Sequence, residues 1–256
     1  MTAPTDLEHE GTVTTGVANG VATVTFQHPK RNSLPAALLR RLAEAIDAVA
    51  AERDARVIVL ASDGTGTFCA GASFDELRSL RSADEGKEFF SGFARVILAM
   101  KRAPKFVVAR VQGKAVGGGV GLVAAADYAF ALPGASVRLS ELAVGLGPFV
   151  VGPVIERRIG RAAFAAMSID ADWRDAAWAE SRGLYTRVLD TEAAMDSVLP
   201  AFVTRLAAMN PEAMAQLKRV LWEGTSHWDT LLFERAAISG RLAMSEFTAL
   251  AVGRET

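Results

Sequence analysis

Residues 12–26 alternate between apolar and polar side chains on both sides of Asn19-Gly20. Such alternation indicates strands with one buried face, and Asn-Gly between two such runs is a strong signal for a two-residue hairpin turn. From Pro35 to Asp54 the apolar residues instead recur at helical spacing, as Leu38, Leu42, Ile46 and Val49. The pattern therefore predicts a β-hairpin followed by an amphipathic helix.

Further strands and helices follow along the chain. Arg56–Ala61, Phe106–Val111 and Tyr128–Leu132 are short apolar runs typical of buried strands, and residues 86–101 have a helical pattern. Later, Asn210-Pro211 is a helix-start signal, because an N-cap residue is followed by proline. Alternation of strands and helices up to about residue 132 predicts the α/β class, with a mostly helical segment of roughly 60 residues at the end.

Composition and charge limit the kinds of partner. The chain has 256 residues, enough for a sizeable core, and its 28 Lys and Arg balance 29 Asp and Glu, which argues against nucleic-acid binding. No apolar run is long enough to span a bilayer, and residues 1–11 are too polar and acidic for a secretory signal. The lone cysteine, Cys69, excludes an internal disulfide. We therefore expect a cytoplasmic protein that does not bind membranes.

The first candidate for chemistry is the glycine-rich stretch 113–121, GKAVGGGVG, which lies between a predicted strand and a predicted helix. A second glycine-bearing turn, Thr67–Phe74, also leads from a strand into a helix. If each turn presents a backbone N–H to one substrate oxygen, the pair forms an oxyanion hole. Two alternatives are a tight connection and a phosphate site. A dinucleotide fingerprint fits poorly, because Leu122 stands where its last glycine belongs.

Four segments together resemble the crotonase (enoyl-CoA hydratase/isomerase) superfamily. They are His28–Leu34, Phe68–Ala72, Gly113–Asp127 and Leu139–Gly145. The resemblance implies a spiral of β-β-α units over residues 1–195, carrying the coenzyme A site, and a helical trimerisation region over residues 196–256. It also implies a homotrimer or a dimer of trimers.

The resemblance also assigns roles to individual residues. It implies that the N–H groups of Ala72 and Gly118 stabilise a thioester enolate. The loop Lys30–Leu34 would lie against the coenzyme A, with Lys30 or Arg31 near its phosphates, although a solvated loop is the alternative. The residues implied in coenzyme A binding are Lys30, Arg31, Asn32, Leu34, Ala70 and Ala72. Coenzyme A would be part of the substrate, so neither a separate cofactor nor a metal is expected.

Glu141 is the candidate acid–base residue. Leu139, Leu142 and Val144 surround it in the sequence, and an apolar setting would raise the pKa of its carboxyl. Hydratases of the family typically use a second glutamate, but that position is Gly121 here. We expect His28 and Cys69 to be structural residues.

Three functions remain open at the level of sequence. The resemblance to methylglutaconyl-CoA hydratases favours hydration of a short or branched 2-enoyl-CoA. The alternative is a Δ3,Δ2-enoyl-CoA isomerase, since a proton shift between two carbons needs one carboxylate. A third function, of another class, is acyl-CoA binding without catalysis.

Overall fold

Two layers of strands organise the computed structural model, which describes residues 11–254. The larger layer is a six-stranded sheet in the order β1-β2-β3-β4-β6-β8, and the smaller pairs β5 with β7. All neighbours are parallel except the antiparallel pair β1–β2. The strands are β1 Thr12–Ala18, β2 Val21–Gln27, β3 Val57–Ser62, β4 Phe106–Val111, β5 Ala115–Val116, β6 Tyr128–Ala131, β7 Val137–Arg138 and β8 Arg187–Val188.

Helices cover these layers and form most of the second half of the chain. They are α1 Ala36–Ala51, α2 Phe74–Ser79, α3 Ala83–Arg102, α4 Gly118–Ala125, α5 Gly152–Ile159, α6 Arg161–Asp170, α7 Ala176–Ser181, α8 Glu192–Ala207, α9 Pro211–Leu221, α10 Trp228–Ala243 and α11 Glu246–Val252. A 3₁₀ helix spans Glu141–Val144. The predicted α/β class, with helices at the carboxyl end, is confirmed.

The predicted hairpin is confirmed at its turn. Asn19 and Gly20 have φ angles of 51° and 80°, and the strands on either side pair from Ala18–Val21 to Thr12–Gln27. Positive φ at both central residues is the geometry of a type I′ turn, which Asn-Gly adopts readily. The hairpin therefore places β2 next to β3, where the parallel part of the sheet begins.

The chain forms the predicted spiral because each turn contributes to both layers. After β4 it adds β5 to the small layer and then forms α4; after β6 it adds β7 and then the 3₁₀ helix. Single bridges Leu34–Ala72 and Cys69–Ala115 extend the small layer for the two earlier turns. Segments far apart in sequence thereby lie side by side.

The helices after residue 195 pack on the same core. α8 buries Met195, Leu199 and Val203 against the large sheet, so the boundary predicted between residues 195 and 196 falls inside a helix. α10 crosses α3 closely, since a Cβ atom on Gly86 would lie 2.7 Å from the Cα atom of Gly240. A role of these helices in trimerisation stays a prediction.

No helix among residues 11–254 is long and apolar enough to cross a membrane. Residues 1–10, on which the expectation about a secretory signal rests, lie outside the described residues.

Candidate active site

Backbone hydrogen bonds hold the first glycine-bearing turn against the loop that follows β2. Leu34 N donates to Gly71 O at 2.8 Å, Ser73 N donates to Leu34 O at 3.2 Å, and Ala70 N donates to Arg31 O at 3.2 Å. The side chain of Leu34 is fully buried below this ladder. The turn that carries Ala72 is therefore fixed by the small layer rather than by its own sequence.

The second turn is fixed in the same way and meets the first. Val116 N donates to Cys69 O, and Gly117 N donates to Arg138 O, both at 2.9 Å. A Cβ atom on Gly71 would lie 2.8 Å from Val116 O and 3.5 Å from Gly118 N. The two backbones can approach this closely only because position 71 has no side chain.

Each glycine of the second turn makes room for a different neighbour. A Cβ atom on Gly118 would lie 2.0 Å from a ring carbon of Phe93, and one on Gly119 would lie 2.6 Å from Cys69 O. A Cβ atom on Gly121 would lie 2.5 Å from Val151 Cγ1. The run of glycines is therefore required by packing on every side of α4, in addition to any contact with a ligand.

The structure brings the two predicted oxyanion donors onto these adjoining turns. Within residues 11–254, neither Ala72 N nor Gly118 N donates a hydrogen bond to another group of the chain. Gly118 is also the first residue of α4, where free N–H groups and the helix dipole favour negative charge. The arrangement fits an oxygen that gains charge, and the oxyanion role itself stays a prediction.

Glu141 begins the 3₁₀ helix that follows β7, and its carboxylate faces the second glycine turn. Oε1 is 3.0 Å from the position that a Cβ atom on Gly117 would occupy. Oε2 is buried and has no hydrogen-bond partner in the part of the chain that the structure describes. Burial raises the pKa of Glu141 to about 7, although the backbone amides of Glu141 and Ser140 oppose the shift.

One detail of the predicted surroundings of Glu141 is wrong. Leu139 is fully buried and Val144 lines the cavity, but Leu142 is 52% exposed. The four-residue 3₁₀ helix turns Leu142 to the surface, so the apolar environment of Glu141 comes from its other neighbours in this segment and from other parts of the chain.

These groups line a cavity of about 70 Å³. Of the side chains that line it among the described residues, Glu141 is the one that can ionise. The segment 147–151 forms one wall, so Phe149 and the valines at 150 and 151 lie at the cavity. Sequence reasoning missed several lining residues, namely Phe74, Leu77, Phe90, Phe93 and Ser239.

The residues predicted to bind coenzyme A occupy four kinds of position. Ala70 and Ala72 line the cavity, whereas Leu34 lies buried beneath it. Lys30 and Arg31 are exposed, and Lys30 forms an ion pair with Asp75, at the start of α2.

Asn32 is different from its neighbours because it is buried. Its amide donates to Asp63 O and Thr67 O and accepts from His28 N at 2.8 Å. Its side chain therefore holds the loop in shape.

Two other residues that the sequence assigned to structural roles lie outside the cavity wall. His28 is buried, and its Nδ1 accepts from Lys30 N at 3.2 Å. Burial raises the pKa of the Cys69 thiol to about 12, which leaves it protonated at neutral pH. Among residues 11–254, no three His, Cys, Asp or Glu side chains form a group that could hold a metal ion.

Several known proteins with similar sequences or structures are named enoyl-CoA hydratases. The chain is 30% identical to a probable enoyl-CoA hydratase of Rhizobium meliloti, over 88% of each chain. It is 32% identical to the mitochondrial methylglutaconyl-CoA hydratase of Rattus norvegicus over 161 residues, which is 62% of this chain and 51% of that protein. The chain thus spans about half the length of that relative.

The fold of the chain is also similar to that of an enoyl-CoA hydratase. The crystal structure of an enoyl-CoA hydratase from Bacillus halodurans has a TM-score of 0.87 at 22% identity, covering 94% of this chain and 98% of that one. Residues 16–239 match the family model described as enoyl-CoA hydratase/isomerase. The chain therefore belongs to the enoyl-CoA hydratase/isomerase family, the crotonase superfamily that its motifs resemble.

Proposed function

We propose that this protein is an enzyme that moves a proton at the α-carbon of a coenzyme A thioester, with Glu141 as its acid–base residue. The observation that carries the proposal is the buried Oε2 of Glu141, which has no partner among residues 11–254 and lines the cavity with Ala72 and Gly118. A buried carboxylate oxygen without a partner costs stability, so its retention in a cavity is typical of a functional group.

The proposed mechanism begins with the thioester oxygen between the N–H groups of Ala72 and Gly118. Removal of the α-proton places negative charge on that oxygen, and each fixed donor stabilises such charge by roughly 3–4 kcal/mol. Glu141 takes the proton. A pKa of about 7 suits this step, because the carboxyl is then ionised in part at neutral pH and can also return the proton.

The reaction that fits one carboxylate best is isomerisation of a 3-enoyl thioester to a 2-enoyl thioester. Glu141 removes a proton from the α-carbon, the double bond moves, and the same carboxyl returns a proton to the γ-carbon. No water is consumed. Position 121 supports this choice, because Gly121 provides no second acid–base group and Val151 lies against it.

Hydration of a 2-enoyl thioester is the second candidate, and the names of the similar proteins favour it. Water would add to the β-carbon and give its proton to Glu141. Glu141 would then pass a proton to the α-carbon. The hydroxyls of Ser140 and Ser239, which line the cavity, are the side chains that would orient this water.

We propose further that the acyl group is short and uncharged. The cavity is small, and its walls are formed largely by Phe90, Phe93, Val144 and Phe149. No lysine, arginine or histidine among the described residues lines it. An acyl group with its own carboxylate, as in methylglutaconyl-CoA, would have to bury a second negative charge near Glu141.

Coenzyme A itself would extend from the cavity toward the loop 30–34. Lys30 and Arg31 are exposed and would contact its phosphates, while Asn32 keeps the loop in place. We also propose that the protein assembles as a homotrimer or a dimer of trimers, as the family resemblance implies, and that it is cytoplasmic.

The test uses but-3-enoyl-CoA and crotonoyl-CoA in heavy water, followed by mass spectrometry and NMR. We expect conversion of the first substrate to crotonoyl-CoA, with deuterium at the γ-carbon to the extent that the Glu141 carboxyl exchanges its proton with the solvent before returning it. Glu141→Gln should abolish both, whereas Glu223→Gln, at an exposed position, should leave both unchanged. Addition of heavy water across the double bond would favour the hydratase. Binding of coenzyme A thioesters without any exchange would mean a non-catalytic protein and would contradict the proposal.

A further inference from the structure

Val151 lines the cavity and packs against Gly121, which does not itself line it. Val151 is 4% exposed and is the residue that precedes α5, while Gly121 lies in the first turns of α4. A Cβ atom on residue 121 would lie 2.5 Å from Val151 Cγ1 and 2.7 Å from Val151 Cβ. Both distances are below any ordinary contact, so the methyl groups of Val151 occupy the space of a side chain at position 121.

Neighbouring contacts keep Val151 in this position. Its carbonyl accepts a hydrogen bond from Ile155 N at 3.1 Å, in the first turn of α5. A Cβ atom on Gly152 would lie 2.9 Å from a ring carbon of Phe164, so the backbone beside Val151 is packed tightly against α6. The side chain is β-branched and has few rotamers. Val151 therefore cannot move aside easily.

The chemical consequence concerns water. A buried water molecule needs about two to four polar partners. Val151 presents only an apolar side chain at this part of the wall, whereas a threonine of nearly the same volume would present a hydroxyl in the same space. The polar side chains of the cavity, Ser140, Glu141 and Ser239, belong to other segments.

We infer that Val151 is a specificity-determining residue that excludes water from its part of the cavity wall and so favours isomerisation over hydration. The inference deepens the proposed function and rests on it, since it assumes an enolate formed by Glu141. In the hydration that Val151 would suppress, water oxygen bonds to the β-carbon, its proton goes to Glu141, and the α-carbon receives a proton from Glu141.

The test compares Val151→Thr with Val154→Thr. Both insert a hydroxyl at constant volume near the start of α5, but Val154 is buried away from the cavity. With but-3-enoyl-CoA in heavy water, Val151→Thr should raise the ratio of 3-hydroxybutyryl-CoA to crotonoyl-CoA at least about tenfold. Deuterium exchange at the α-carbon should stay within about threefold of the unsubstituted protein. Val154→Thr should leave the ratio unchanged.

A second variant guards against misfolding. Val151→Ala opens space beside Gly121 without adding a polar atom, so it should raise the hydration ratio less than Val151→Thr does. If both variants exchange α-protons normally and the ratio does not change, the inference about Val151 is wrong and the proposed function stands. If the unsubstituted protein shows no exchange that depends on Glu141, the proposed function fails and the inference fails with it.

Discussion

The carboxylate of Glu141 lies directly against the backbone of Gly117. Oε1 is 3.0 Å from the position of a Cβ atom on residue 117, and Gly117 has a φ of +52°. A side chain at this position would be strained by the backbone and would press on the carboxylate. The glycine thus lets the acid–base residue approach the turn whose next amide, Gly118 N, is the proposed oxyanion donor.

Gly117→Ala tests this relationship. We expect a loss of about 1–2 kcal/mol in the free energy of unfolding, from the positive φ. We also expect activity on but-3-enoyl-CoA to fall about 10–100-fold, because small displacements of a catalytic group are costly. Urea unfolding and initial rates measure the two effects. Gly134→Ala is the matched control, since a Cβ atom there meets nothing within 4 Å. Equal activity in both variants would contradict the assigned position of Glu141.

The pH dependence of the reaction follows from the pKa of Glu141. The carboxyl must be ionised to take a proton, and burial raises its pKa to about 7. Log kcat/KM should therefore rise with unit slope up to about pH 7 and level above it. Rates for but-3-enoyl-CoA between pH 5 and 9 measure the profile. A midpoint near 4.5, the ordinary value for glutamate, would show that the carboxyl is solvated in the working enzyme.

Much of the fold could be predicted because its signals are local. Asn19-Gly20 specifies its own turn, and the Asn210 side chain caps α9 by accepting from Glu212 N at 2.9 Å. The glycine turns could also be predicted from the sequence, since three adjacent glycines are rare without a steric reason. The strands β5 and β7 have two residues each and leave no periodic pattern.

The walls of the cavity could not be predicted from the sequence. Phe90 and Phe93 read as ordinary core positions of an amphipathic helix, and only tertiary packing places Phe93 over Gly118. Ser239 comes from a helix more than 100 residues away in sequence from the glycine turn. The sequence alone shows that position 121 is a glycine where hydratases of the family typically have a glutamate. The contact between Gly121 and Val151 could not be predicted, because it depends on how α4 and α5 pack.

The stability difference between Glu141→Gln and the unsubstituted protein should depend on pH in a defined direction. The pKa of Glu141 is about 7 in the folded protein and about 4.5 in the unfolded chain, so the folded state binds the proton more tightly. Stability therefore falls as pH rises from about 4.5 to 7, and the penalty is complete above 7. Glutamine carries no such penalty.

The free energy of unfolding of Glu141→Gln, minus that of the unsubstituted protein, should therefore be larger at pH 8 than at pH 4.5. We expect this increase to be on the order of 2 kcal/mol. Urea unfolding of both proteins at the two pH values measures this difference, and Glu223→Gln at the surface should show none. A difference that is the same at both pH values would mean that the carboxyl is not desolvated.

Charge on the acyl group should decide whether a thioester is a substrate. Pentanoyl-CoA and glutaryl-CoA have acyl groups of the same chain length. The pentanoyl chain ends in a methyl group, and the glutaryl chain ends in a carboxylate. The cavity is apolar, and Glu141 already places one carboxylate in it. Burying a second one without a cation costs several kcal/mol. Deuterium exchange at the α-carbon should therefore be at least about 100-fold faster, as kcat/KM, for pentanoyl-CoA.

A cation at the cavity wall provides the control for this prediction. Val144 is half-buried and lines the cavity, so Val144→Lys can extend an ammonium group toward the end of the acyl chain. We expect this variant to reduce the preference for pentanoyl-CoA at least about tenfold, whereas Val144→Met, of similar length and no charge, should retain it. Comparable rates for the two thioesters in the unsubstituted protein would contradict the uncharged acyl group. Substrates with a negatively charged acyl group, such as methylglutaconyl-CoA, would then be compatible with the cavity.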